Sequence, residues 1–304
     1  MRTVAFIALA GLSGAALAAT PARPLITSVS HLAVYATDAA KAEQFYVHDL
    51  GAVKRADPEN PQGTRYYFSP RQFVEVLPPP PGMAANRMDH IAFDTANAEG
   101  LRQYLGSRKI QVPNAVSRGT DGSQWFRVKD PEGILVEFVQ PPSPLPAIAV
   151  NPLFGHIIHV GAVVHDRALE DTFYREILGF RPYWYGGMKD DAPPSWVSQQ
   201  VPDGRDWLEY MVTSNPLNQA QTGVLNHFSL GVPNMEKVYT ALWVQGRLDG
   251  QVDARGQQIV PKIGRDAKWQ LNLLDPDGTR AEVMELHAIG KPCCSPFTGT
   301  DPVK

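Results

Sequence analysis

Cysteine is nearly missing from this 304-residue chain: the only two, Cys293 and Cys294, are neighbours near its end. Adjacent thiols cannot staple distant segments, so disulfides do not hold the cores. A thiol nucleophile has no histidine near it except His287. Strong charge of one sign is lacking too. The formal net charge is -3 and no basic run occurs, so neither nucleic acid nor an anionic membrane surface is an implied partner. Long apolar runs are confined to Val4–Leu17, which is shorter than the roughly 20 residues of a spanning helix. Behind Arg2 and ahead of Ala16-Leu17-Ala18, that run has the layout of a signal peptide. Residues 1–18 are therefore expected to be removed on export, leaving a periplasmic or secreted protein with no membrane attachment.

What is present is repetition. Four histidines each open a strand-like run, HLAVYA, HIAFDT, HVGAVV and HFSLGV, and each is followed 44 to 55 residues later by a glutamate inside another apolar run. The pairs are His31/Glu75, His90/Glu137, His159/Glu209 and His227/Glu282. Sliding the chain by 128 residues superposes His31 on His159, Asp38 on Asp166, Phe45-Tyr46 on Phe173-Tyr174 and Leu50-Gly51 on Leu178-Gly179. The offset grows to 134 at Glu75/Glu209, 137 at His90/His227 and 145 at Glu137/Glu282, so length changes fall between matched elements. Asp130-Pro131-Glu132-Gly133 and Asp275-Pro276-Asp277-Gly278 close the two halves, each seven residues before its glutamate.

Each quarter reads as a strand, a helix and three strands. The first helix is expected over 38–50, with Asp38 as N-cap and Gly51 as the helix-ending residue. A second runs over Ala98–Arg108. Quarters three and four span roughly Ile157–Thr213 and Leu225–Leu286. The expected organisation is a first domain at 26–141, a proline-rich linker at 142–154, a second domain at 155–289 and an irregular tail at 290–304. The predicted fold class is α+β, four βαβββ modules paired into two cups.

With these residues in view, the chain resembles the vicinal oxygen chelate superfamily of glyoxalase I, fosfomycin and bleomycin resistance proteins and extradiol dioxygenases. The resemblance rests on the opening-strand histidines, the Phe-Tyr then Leu-Gly signature and the Asp-Pro-x-Gly-x-x-x-Glu closures. It covers about Ser28 to Ala288. It implies that paired modules wrap a cup around one metal, with ligands on the first and last strands of each module. Those positions hold His31, Glu75, His90 and Glu137 in one half, and His159, Glu209, His227 and Glu282 in the other.

Imidazoles and carboxylates suit an intermediate divalent ion such as Zn, Ni, Mn, Co or Fe(II). Such an ion is a Lewis acid toward a small molecule with vicinal oxygens. The main expectation is a glyoxalase-like isomerase or lyase, in which the extra Glu75 and Glu209 let one carboxylate loosen and act as base. Glu137 and Glu282 are the candidate catalytic carboxylates. One alternative is an Fe(II) extradiol dioxygenase. Against it, the family's tyrosine before the Asp-Pro closure is replaced by Arg127 and Asn272, and the upstream histidine by Gln124-Trp125 and Lys268-Trp269. The other alternative is a non-catalytic binding or sequestering protein.

Trp184, Tyr185, Trp196, Trp207 and Tyr210, with Tyr66, Tyr67, Phe68, Trp125 and Phe126, could line a pocket or fill the seam between sheets. His48, His156, His165 and His287 match no repeated position and read as surface or loop residues. Glu285, three residues from Glu282, falls on the opposite strand face. Four modules complete two cups within one chain, so a monomer or weak homodimer is expected.

Overall fold

Strands that bury both faces need apolar residues throughout, and the runs opening each quarter supply them. The computed structural model describes residues 21–83, 86–253 and 255–303. The expected export segment, 1–18, lies outside the described residues. The first module comprises β1 (Ile26–Tyr35), α1 (Ala39–Glu43), β2 (Val53–Ala56), β3 (Thr64–Tyr67) and β4 (Phe73–Leu77). The second has β5 (Met88–Thr95), α2 (Ala98–Ser107), β6 (Ser117–Arg118), β7 (Gln124–Lys129) and β8 (Leu135–Gln140). The third has β9 (Ile157–Val164), α3 (Arg167–Asp171), β10 (Arg181–Gly186), β11 (Trp196–Gln200) and β12 (Trp207–Val212). A helix that the repeat did not foretell, α4 (Gln219–Leu225), precedes the fourth. That module comprises β13 (His227–Val232), α5 (Met235–Val244), β14 (Lys262–Ile263), β15 (Trp269–Leu274) and β16 (Arg280–Glu285).

The strands form two eight-stranded sheets of identical plan, β2-β3-β4-β1-β5-β8-β7-β6 and β10-β11-β12-β9-β13-β16-β15-β14. The α+β, four-module expectation therefore holds. Asp38 caps α1 by accepting from the backbone N–H groups of Ala40 and Lys41, and Asp166 does the same for α3. Each of these helices then widens into a π-helical turn, Gln44–Asp49 and Thr172–Ile177. Leu50 N–H closes the first of these on Phe45 C=O, and Gly51 turns out of it at φ +70°, a conformation that suits glycine.

Why the Phe-Tyr and Asp-Pro motifs recur together becomes visible between the halves. Tyr46 of the first half donates to Asp275 of the second at 3.0 Å, and Tyr174 of the second donates to Asp130 of the first at 3.2 Å. Gln72 Nε2 donates to Ile157 C=O at 2.8 Å, while its second-half counterpart Asp206 accepts from Val29 N–H at 3.0 Å. The motifs are reciprocal partners across a pseudo-twofold seam. His156 belongs to that seam and is no loose surface group: its Nε2 lies 2.8 Å from Asp206 Oδ1. His48, His165 and His287 are exposed, as expected. Glu285 points away from the cup and accepts the Met235 N–H of α5.

Candidate metal centres

The four central strands of each sheet carry the predicted ligands. On β1, Ala33 is level with Glu75 of β4 on one side and His90 of β5 on the other. On β5, Ala92 is level with both His31 and Glu137 of β8. Alternate strand residues share a face, so all four side chains enter one concave side. The second sheet repeats the register. Gly161 lies between Glu209 and His227, and Ser229 lies between His159 and Glu282. All eight predicted side chains are brought together, as two quartets.

In the first cup the Nε2 atoms of His31 and His90 are 2.9 Å apart. Glu75 Oε2 lies 3.7 and 3.5 Å from them, and the Glu137 oxygens lie 3.7 and 3.6 Å away. In the second cup the Nε2 atoms of His159 and His227 are 3.1 Å apart, with Glu282 Oε2 at 3.2 and 3.9 Å. Glu209 Oε2 is 3.7 Å from His227 Nε2. Donors bound about 2.0–2.2 Å from one ion lie roughly 3–3.5 Å from each other, so His31, Glu75 and His90 in one cup, and His159, His227 and Glu282 in the other, fit a divalent ion with small adjustments. Both oxygens of Glu75, Oε1 of Glu137 and Oε2 of Glu282 are buried without a hydrogen-bond partner. Such atoms cost several kcal/mol unless a cation meets them.

Neighbouring groups aim the imidazoles. Phe73, level with His31, stacks on it at 4.4 Å, and Trp207 stacks on His159 at 4.5 Å. His227 Nδ1 donates to Leu225 C=O at 2.8 Å, which leaves Nε2 facing inward. Its ring lies directly over Gly161, where an added Cβ would sit 2.0 Å from Cε1. The first cup tolerates Ala33 at the matching place because His90 is held differently, by Asp89 at 2.7 Å. Gly161→Ala is therefore expected to displace His227 and weaken metal binding by roughly 10–100-fold, the range for a lost orienting contact. Metal titration of the variant checks this; an unchanged affinity would contradict it.

The cups differ beside the quartets. Arg65 stands opposite Glu75 and Arg127 opposite Glu137, whereas Ser198 and Asn272 occupy the matching places in the second cup. Arg127 Nε donates to Glu137 at 2.6 Å, and Arg65 pairs with Asp57 and Glu59. The second cup instead opens on a cavity of about 110 Å³ lined by Trp184, Trp196, Glu209, Arg265, Arg280 and Glu282 among others. A larger cavity of about 340 Å³ shares Gln270 and Arg280 with it. Trp184 and Trp196 thus line a pocket, while Tyr66, Phe68, Phe126 and Tyr210 fill the core. Arg280 Nη2 donates to His227 Nε2 at 2.8 Å, and its Nε is unpartnered. Sequence reasoning missed this arginine, although it sits two residues before Glu282 and so shares its face.

Among the described residues the tail has no regular element, and it packs against this cavity wall. Cys293 and Cys294 are joined to each other. Cys293 N–H donates to Arg265 C=O, Trp184 Nε1 donates to Cys293 C=O, and Thr298 N–H donates to Tyr183 C=O. The tail thereby bridges β10 and the β14–β15 turn.

Burial keeps all four imidazoles neutral, the form that binds metal: it lowers His159 and pushes His227 and His31 well below the usual value, and His90 to about 4. The second-cup carboxylates are driven apart. Burial, with Glu282 nearby, raises Glu209 to about 8. Burial opposes ionisation of Glu282 as well, but Arg280 and His159 hold it at about 2. Glu282 is thus favoured as an anionic ligand, while Glu209 is biased toward its protonated form.

A model of the Glyoxalase/Bleomycin resistance protein/Dioxygenase superfamily matches residues 28–138. No curated protein matches the chain. Among solved structures, an extradiol ring-cleaving dioxygenase from Brevibacterium fuscum aligns with TM-score 0.63 and 17% identity, over 93% of this chain and 76% of that one. Homoprotocatechuate 2,3-dioxygenase from the same organism, in complex with 3,4-dihydroxyphenylacetate, gives 0.60 and 18%, over 88% and 82%. A catechol 2,3-dioxygenase gives 0.62 and 15%, over 92% and 96%. Identities this low establish a common fold and no more. Among the described residues, no helix is long and apolar enough to cross a membrane. Residues 28–138 thus match the model of the glyoxalase/bleomycin resistance protein/dioxygenase superfamily, and the second half repeats the same strand plan.

Proposed function

We propose that the chain is an extradiol-type ring-cleaving dioxygenase whose working site is the second cup. The observation that carries this reading is the grouping of the buried His159 and His227 with Glu282 within reach of one ion, with Glu282 also lining the second-cup cavity. Two histidines and a carboxylate with open positions suit Fe(II) and oxygen chemistry. The ion would supply Lewis acidity and redox capacity to the vicinal oxygens of a small aromatic diol. The overlap in fold with dioxygenases that act on catechols supports this over the isomerase or lyase reading.

The chain's own groups divide the remaining work. Trp184 and Trp196 offer flat apolar surfaces to a ring, in a cavity of similar scale to the ~150 Å³ that admits benzene. Arg280 gives up His227 Nε2 when that nitrogen is needed as a ligand, and its donors then face the cavity. Glu209, biased toward its protonated form, is the group placed to hold or exchange a proton; Asn272 cannot replace the tyrosine expected there. Glu209 is also the feature that favours the isomerase reading, since it adds a second carboxylate as a fourth donor residue. The reaction would take place outside the cytoplasm, as residues 1–18 and the joined Cys293 and Cys294 both suit an oxidising compartment.

Oxygen uptake by the Fe(II)-loaded protein with catechols tests the proposal. Uptake with formation of a ring-opened, visibly absorbing product is expected. Isomerisation of hydroxy-ketones by a Zn- or Ni-loaded protein, with no oxygen uptake in the Fe(II) form, would replace it.

A further inference from the structure

We propose that the joined pair Cys293 and Cys294 is a thiol–disulfide exchange site whose redox state sets the wall of the second-cup cavity. This inference does not depend on which reaction that cavity hosts. The two sulfurs are bonded to each other, and both residues are half-buried, so a small thiol can reach them. Cys294 Sγ accepts from Gly187 N–H at 3.4 Å and lies 4.0 Å from Arg265 Nη2. A cation and an N–H donor at one sulfur stabilise its thiolate. Arg265 also pairs with Asp190, but that carboxylate is 82% exposed, so water weakens its opposing charge.

Exchange therefore has a preferred direction. A low-molecular-weight thiolate attacks Cys293 Sγ, the bond between the cysteines breaks, and a new S–S bond joins Cys293 to the incoming sulfur. The electron pair leaves on Cys294 Sγ, beside Arg265. A second thiolate then attacks the incoming sulfur and frees Cys293. Two small thiols become one disulfide, the protein pair gains two electrons, and the two protons pass to the cysteines. The pair is tied to the cavity on both sides. Cys293 C=O accepts from Trp184 Nε1 at 3.2 Å, and Cys293 N–H donates to Arg265 C=O at 2.8 Å. Trp184 and Arg265 both line the cavity with Glu209 and Glu282. One residue on, Ser295 Oγ accepts from Tyr185 N–H at 2.9 Å. Cys294 itself holds φ +72°, a left-handed conformation that a residue with a side chain keeps only where its surroundings impose it. The link to Cys293 is one such constraint. Opening it lets Cys294 relax and loosens the hold on Trp184 and Arg265.

Glutathione added to the folded full-length chain tests the assignment, with free thiols counted by mass after alkylation and tryptophan emission recorded. The chain purified in air should show no free thiol. Glutathione should release two thiols together and shift the emission to the red. Trp184→Phe should keep the thiols and lose the shift. Arg265→Gln should slow the exchange roughly tenfold, and Arg265→Lys should restore much of the rate. Thiols that appear only after denaturation would overturn the proposal, and so would free thiols in the air-purified chain. Two thiols with unchanged emission would overturn the link to the cavity. Should a variant fail to fold, the thiol count and emission of the unmodified chain decide.

Discussion

Replacing His227 by alanine is expected to abolish turnover and remove the ion from the second cup. His227 supplies one of the two inward imidazole nitrogens, and its ring fills the space above Gly161. Removing it leaves His159 and Glu282 as a two-donor remnant, and Arg280 loses the acceptor it now uses. A Lewis acid contributes several kcal/mol of charge stabilisation, so the rate should fall by roughly 10³-fold or more. The same change at His90 should leave the second-cup metal in place and lower stability instead. Metal content and turnover measured on both variants separate the cups. Equal loss of metal and activity in the two would contradict the division drawn between them.

The largest expected effect on stability belongs to Arg65→Ala. Arg65 is buried, pairs with Asp57 and Glu59, and packs its guanidinium over Phe73 at 4.2 Å. Phe73 in turn stacks on His31. Deleting one member of a buried ion cluster strands the others without compensation, which costs about 3–5 kcal/mol. The carboxylates left behind include Glu59, whose ionisation burial already opposes and which Arg65 helps to hold charged. The sign of the pH dependence follows. Glu59 titrates above its unfolded value, so it favours the folded state at low pH and loses that contribution as pH rises through its raised value. Arg65→Ala should steepen the loss on the alkaline side. Denaturant midpoints across pH would show it; a change below about 1 kcal/mol would mean that the cluster relaxes into water.

The repeat was legible because side chains on strands obey a period of two, and the order of histidine and glutamate survives loop insertions that stretch their spacing from 44 to 55 residues. His31, Glu75 and their counterparts could be placed on one face from sequence alone. The partners of Tyr46 and Tyr174 could not. Their hydrogen bonds to Asp275 and Asp130 cross the pseudo-twofold seam, and self-comparison reveals that two motifs recur without saying that they touch. The π-helical turns at Phe45-Tyr46 and Phe173-Tyr174 were invisible for a related reason: a helical apolar pattern does not record one widened turn. Arg280 has no first-half equivalent at its position, which holds Leu135, so the repeat concealed it. The difference between the cups was likewise hidden in residues opposite the glutamates. Arg65 and Arg127 close one cup, and Ser198 and Asn272 leave the other open.

The central claim is that His159, His227 and Glu282 hold a catalytic ion at the wall of the second-cup cavity. Diffraction at the iron absorption edge from crystals grown with Fe(II) tests it most directly. The account predicts an anomalous peak about 2.0–2.2 Å from both Nε2 atoms and the Glu282 carboxylate, with Arg280 withdrawn from His227. A second cup without a peak, and with Arg280 still bonded to His227 at saturating metal, would contradict it.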